Sequence, residues 1–231
     1  MWDGGRVDVA FRGEAESVER AIRDAGVDVV AEADADVVVA AGDAAIHSLV
    51  ETPADAPVLP VTPAGGRYAV PKSNVESAVA SLAAGDYWHT THPVLSVTVD
   101  GDHAGHALVD VTLMTSAPAR ISEYAVSAAD RAVAAFRADG VVVATPFGSD
   151  SYAAAAGGAV LDAGTGLSVV PVAPFSTQTD VWVLDPDVDL SVEREGDVSV
   201  YLDGDRRREV GEGAAVGVDR ASTVEFLTPD G

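Results

Sequence analysis

Polar and apolar positions alternate over residues 7–12 (Val-Asp-Val-Ala-Phe-Arg), the period of a half-buried strand. Val18, Ala21, Ile22 and Ala25 then recur at helical spacing, and Gly26 follows where a helix stop belongs. Strands are expected over 27–30 and 36–41, the second with a run, Val37-Val38-Val39, suited to a parallel strand covered on both faces. A short helix carrying Ile46, Leu49 and Val50 should follow Asp43, and 58–61 reads as another strand. Ser73-x-x-Glu76 has the form of a capping box for a helix that buries Val75, Ala78, Val79 and Leu82 and stops at Gly85. This β/α alternation predicts a small parallel sheet with helices.

Beyond about residue 92 the pattern changes. Leu95, Val97 and Val99 alternate up to Asp100-Gly101, a hairpin turn signal, and 108–113 reads as the returning strand. Further strands are expected at 190–192, at 198–202 before the turn Asp203-Gly204, and at 222–227, with one helix near 150–163. Ser127 to Arg137 has helical composition but lies between strand-like runs, so its state stays open. The expected fold is an α/β N-terminal domain over 1–90, then a mostly antiparallel, β-sandwich-like C-terminal domain over 91–231, with the boundary within 86–93.

Composition changes this picture in a few respects. The 231 residues are 48% hydrophobic, enough for a real core, yet carry 37 acidic and 14 basic residues for a net charge of -23. Lys72 is the single lysine. Abundant Asp and Glu with almost no Lys suits a surface that must stay hydrated in concentrated salt, and points to a halophilic cytoplasm. Such a charge argues against nucleic-acid partners. The one basic run, Arg206-Arg207-Arg208, sits between Asp205 and Glu209 and reads as a solvated turn. With no cysteine, disulfides, thiolate metal sites and cysteine nucleophiles are excluded. Asp3 and Arg6 interrupt any apolar leader, and no apolar run is long enough for a membrane span. His89-x-x-His92 and His103-x-x-His106 are read as exposed loop residues, and Trp2, Trp88 and Trp182 as packing residues.

Three places carry candidate chemistry. Gly42-Asp43 directly follows the apolar strand ending at Ala41, where open α/β sheets bind ligands; the other reading is that Asp43 caps the next helix. Ser122-Glu123 follows Pro118 at a strand end. Asp139-Gly140, the apolar run 141–144, Thr145-Pro146-Phe147-Gly148-Ser149-Asp150-Ser151-Tyr152 and Gly157-Gly158 form a strand, a tight turn and a helix entry. That junction exposes backbone amides and suits a phosphate or ribose, though a structural elbow uses the same parts.

In order and spacing these elements resemble those of the NAD kinases: a Gly-Gly-Asp-Gly-Thr loop, an Asn-Glu pair, Asp-Gly, an apolar strand, Thr-Pro-Thr-Gly-Ser-Thr-Ala-Tyr-Ser and Gly-Gly. The strand–loop–strand over 169–184 and the Asp203-Gly204 turn are also similar to that family. The resemblance implies transfer of the terminal phosphoryl of ATP, or of polyphosphate, to the 2′-hydroxyl of the adenosine ribose of NAD, with Mg2+ arriving on the nucleotide. It implies Asp43 as the catalytic carboxylate near the attacking hydroxyl. Glu123 and Asp139 would hold NAD hydroxyl and amide groups, and Gly42, Ser122, Thr145, Phe147, Gly148, Asp150, Ser151 and Tyr152 would complete the binding site. It further implies strand for part of 127–137 and a homodimer or tetramer. Departures from the family pattern are Ala41, Ala44 and Ala45 in the Gly-Asp loop, Ser122 for asparagine, and Phe147 and Asp150 for two threonines. They give a second reading, a paralogue that binds NAD(P) or another nucleotide as a regulator or sensor.

Overall fold

The structure is a computed structural model and describes residues 7–117, 120–176, 180–194 and 196–229. Chain contacts divide it into two compact units, one running to His92 and joined by the residues from Val224 onward, the other Pro93–Thr223.

The first unit follows the predicted order with one added strand, β5: β1 (Asp8–Gly13), α1 (Glu16–Asp24), β2 (Asp28–Val29), β3 (Val37–Ala41), α2 (Asp43–His47), β4 (Val58–Thr62), β5 (Val70–Pro71) and α3 (Val75–Ala84). β2, β1, β3, β4 and β5 lie side by side and pair in parallel. β3 is buried along its whole length, which explains its unbroken apolar run. Val18 and Ile22 of α1 and Val75, Val79 and Leu82 of α3 pack with Val9, Val37, Val39 and Leu59 into one core. The capping box does not form: Ser73 Oγ donates to Asn74 Oδ1, and Asn74 stands at the N-cap of α3 without a side-chain cap. A short 3-10 turn over Lys72–Asn74 shifts the helix start past the serine.

The second unit is antiparallel. It comprises most of β6 (Tyr87–Val99), then β7 (Asp102–Ala107), β8 (Asp110–Thr115), β9 (Ser122–Ala128) and β10 (Arg131–Ala144). After a single helical turn, α4 (Tyr152–Ala155), follow β11 (Leu167–Pro174), β12 (Trp182–Leu184), β13 (Val188–Arg194), β14 (Val198–Leu202), β15 (Asp205–Val210) and β16 (Ala215–Pro229), whose last residues rejoin the first unit. β15, β14, β8, β10, β9, β13 and β16 are successive neighbours, and β11 pairs with the C-terminal half of β10. Leu113, Tyr124, Val141, Val143, Leu190 and Val200 are among the buried residues of its core.

Several expectations are corrected here. The strand returning from Asp100-Gly101 is β7; residues 110–115 form β8, which pairs instead with β10 and β14. Ser127 to Arg137, whose state composition left open, is a hairpin turning at Ala129-Asp130, both at positive φ, in keeping with the strand implied by the resemblance; cross-strand pairing overrides the helical preference of alanine. The helix near 150–163 shrinks to one turn because Gly157 (φ 97°) ends it. Arg206-Arg207-Arg208 lies in β15, an exposed edge strand, not in a turn. His89, His92, His103 and His106 all lie in strands, and Trp88 is 64% exposed instead of packed, while Trp182 stacks on Phe136. Trp2, Asp3, Arg6, Pro118 and residues 177–179 of the 169–184 loop lie outside the described residues. Among the described residues no helix is long and apolar enough to cross a membrane.

His92 is fully buried between the rings of Tyr68 and Phe226, at centroid distances of 4.4 and 4.9 Å, with Thr90 Oγ1 3.0 Å from Nε2. Burial lowers its pKa from 6.5 to about 4. The unfolded chain therefore takes up a proton at a pH where the folded chain does not, so this contribution is complete above pH 6.5 and is lost as pH falls towards 4. Urea titrations at fixed KCl should show wild type losing about 3 kcal/mol more than His92→Phe across that window; identical pH profiles would contradict the assignment.

Candidate functional site

In the first unit, β3 delivers Gly42 and Asp43 to the carboxyl edge of the parallel strands. Gly42 takes φ 90°, donates its N–H to Val61 O at 2.8 Å, and accepts from Ile46 N at 3.1 Å. The one left-handed residue of the loop is thus a glycine, and Ala44 and Ala45 sit in α2 without backbone strain. Asp43 is the exposed first residue of α2 and makes no side-chain cap, so the capping reading does not describe it. Arg12, at the end of β1, ties the surrounding loops together: it pairs with Glu32 and donates to Thr52 O at 2.7 Å.

In the second unit, the turn after β10 is anchored on the bend between β7 and β8. Thr145 is fully buried; its N–H donates to Val109 O at 3.0 Å and its hydroxyl to Leu108 O at 2.7 Å. The same hydroxyl accepts from Gly148 N at 3.2 Å. Gly148 lies so close to Val109 that a Cβ there would collide with the Val109 carbonyl. Ser149, also buried, donates to Pro146 O at 2.9 Å and accepts from Leu161 N at 2.9 Å. From the other side, the Asp203 carboxylate accepts from Leu108 N, Val109 N and Asp110 N at 2.9, 2.7 and 3.1 Å.

Beside this anchor lies a cavity of about 240 Å³ lined by Asp110, Thr112, Met114, Tyr152, Tyr201 and Gly204. Asp110 is only 7% exposed and accepts from Thr112 Oγ1 at 2.9 Å. Burial, then the charges of Asp110 and Asp139, push the Tyr152 phenol up from its ordinary pKa. The lining thus includes one carboxylate and two tyrosines, a set suited to hydroxyl and amide N–H groups.

Asp139 is thus an exposed residue of β10, while Tyr152 enters the cavity directly after the 145–151 turn. Phe147 and Asp150 are half-buried within it, and Ser151 is exposed. Ser122 and Glu123 go elsewhere. Ser122 is buried and accepts from Thr115 Oγ1 at 2.9 Å. Glu123, on the opposite face of β9, reaches Arg194 at 3.5 Å and lines a separate cavity of about 580 Å³ with Phe136, Arg137, Phe175 and Trp182. Asp110, Thr112 and Tyr201 were not singled out from sequence. The available signal was an acid inside the apolar stretch Leu108-Val109-Asp110-Val111. Among the described residues no group of three or more His, Asp or Glu is spaced to hold a metal ion.

An α/β unit followed by an antiparallel β unit matches the architecture of NAD kinase structures. Residues 108–227 match the family model of the ATP-NAD kinase C-terminal domain. The chain belongs to the NAD kinase family. It is 34% identical to the NAD kinase of Methanopyrus kandleri over 138 residues, 58% of this chain and 50% of that one. With the NAD kinase of Thermoplasma acidophilum it shares 29% identity over 159 residues, 67% of this chain and 58% of the other. The matched region spans about half the length of such curated relatives. The fold resembles a yeast NADH kinase complexed with NADH (TM-score 0.74, 16% identity, 100% of this chain and 85% of that one). It also resembles an Archaeoglobus fulgidus NAD kinase in complex with ATP (TM-score 0.69, 20% identity, 98% and 94%).

The anchored turn makes a direct prediction. Gly148→Ala must displace the Val109 carbonyl and should destabilise the fold by about 1–3 kcal/mol in chemical denaturation. Gly211→Ala, where a Cβ meets nothing within 4 Å, should stay within about 0.5 kcal/mol of wild type. Equal effects would contradict the close packing at 148.

Proposed function

We propose that this chain transfers the terminal phosphoryl group of ATP, or of polyphosphate, to the 2′-hydroxyl of the adenosine ribose of NAD, giving NADP. The observation that carries this reading is the 145–152 turn, seated on the 108–110 bend beside a cavity walled by Tyr152 and Asp110. Its place in a chain of this family makes that cavity a natural seat for part of NAD. Residues 1–90 would bind the nucleotide donor and 91–231 the NAD.

Phosphoryl transfer asks little covalent chemistry of a protein; it asks for positioning, charge neutralisation and a carboxylate near the attacking hydroxyl. Asp43 is that carboxylate in this reading, and Gly42 gives it its place without strain in the neighbouring alanines. Asp139 and Asp110 hold NAD hydroxyl and amide groups, with Gly148, Ser151 and Tyr152 shaping the pocket and Phe147 and Asp150 forming its wall. Thr145 acts through the backbone it holds. Ser122 and Glu123, given the same work by the resemblance, are the weaker part of this assignment, because their side chains engage Thr115 and Arg194. Mg2+ enters on the phosphate oxygens of the donor, the usual way a hard, reluctantly dehydrated ion is held at such sites. A salt-adapted cytoplasm and a homodimer or tetramer complete the proposal.

NADP formation from NAD and ATP or polyphosphate, assayed in molar KCl, tests it. Asp43→Asn should lower turnover by roughly 10²–10⁴-fold with the fold intact. A wild-type chain that is thermally stabilised by NAD yet forms no NADP would sink the kinase reading and leave the regulator or sensor in its place.

A further inference from the structure

We propose that Asp203 is a positioning residue for NAD: it fixes the backbone from which Asp110 reaches the cavity, and so controls affinity without touching the ligand. The inference rests on the cavity beside Tyr152 being the NAD site.

The geometry is specific. Leu108 and Val109 lie between β7 and β8, so their amides are not part of either strand's ladder. The Asp203 carboxylate gathers both of them together with the amide of Asp110, and the Asp203 N–H donates back to Asp110 O at 2.9 Å. Asp110 is thereby held through both its N–H and its carbonyl by one residue. Carboxylate-to-amide bonds are charge-assisted, and a carboxylate has lone pairs enough for all three donors. Asp203 itself stands at φ 51° in the turn of the β14–β15 hairpin, a conformation that aspartate and asparagine tolerate better than other side chains.

The hairpin does more than supply the clamp. Tyr201, two residues before Asp203, and Gly204, directly after it, line the same cavity as Asp110 and Tyr152. The Leu202 to Val111 register of β14 on β8 sets the hairpin tip one residue past the end of that pairing, level with Asp110. Clamp and cavity wall thus belong to one hairpin, and a loosened clamp would act on the cavity by shifting the Asp110 carboxylate that it holds.

Asp203→Asn keeps the tolerance for positive φ but places an amide N–H₂ among three donors. NAD affinity is to be measured calorimetrically in molar KCl for wild type, Asp203→Asn, Asp110→Asn and the double variant, with melting temperature and turnover read separately. Each single change should weaken NAD by roughly tenfold, and the double variant should bind no more weakly than Asp110→Asn alone, because Asp203 acts through Asp110. ATP affinity should not change. Additive losses, or an Asp203→Asn protein that melts lower but binds NAD as wild type does, would overturn the proposal and leave a purely structural clamp. If Asp203→Asn does not fold, Thr145→Val loosens the same bend from its carbonyl side, and its cycle with Asp110→Asn is decided by the same criterion. A wild type that binds NAD without turnover defeats the kinase reading but not this one, and a wild type that does not bind NAD defeats both.

Discussion

Residues 108–110 must turn a corner inside the protein, and a buried amide without an acceptor costs about 1–3 kcal/mol. The Asp203 carboxylate accepts the three amides of that corner and Thr145 engages the carbonyls of Leu108 and Val109. Much else in the second unit follows from meeting this need. The turn after β10 can close only against Val109, so position 148 has no room for a side chain. The helix that begins at Tyr152 starts where that turn releases it, and Tyr152 then stands within the field of Asp110 and Asp139. A backbone hydrogen-bonding requirement thus becomes the placement of a buried carboxylate and a phenol at one cavity.

Much of the fold was legible because periodicity reports burial. β3 is apolar at every position because both faces are covered, and α1 shows a clean helical stripe because one face is. The type of turn was legible at Asp100-Gly101 and Asp203-Gly204, where both residues of each pair take positive φ. Composition alone left 127–137 open, because alanine favours helix while Ala132, Ala134 and Ala135 lie in β10, held by pairing with β9 that no local signal announces. The capping box failed because one 3-10 turn moved the helix start to Val75. His92 reads as a surface histidine only until Tyr68 and Phe226 are seen to enclose it.

The site was legible in its glycines and in the 139–152 stretch, less so in its acids. Tyr152 follows the anchored turn and lines the cavity, and Gly42 takes the positive φ that the alanines beside it could not. Glu123 does not join Tyr152, since alternation along β9 turns it towards Arg194 and Trp182. Asp110 takes its place beside Tyr152, and it was hidden because a lone acid in an apolar strand looks like a solvent-facing position of the alternation. Only the pairing of β8 between β10 and β14, a relation between distant parts of the chain, buries it.

The central claim is that the bend at 108–110 and the turn at 145–152 act as one NAD-binding element. Hydrogen exchange with and without saturating NAD in molar KCl tests this most directly, because exchange reports local opening segment by segment. NAD should slow exchange in peptides covering 108–116 and 145–158 together, while peptides covering 186–194 exchange as before. Protection absent from both segments, or confined to 186–194, would contradict it.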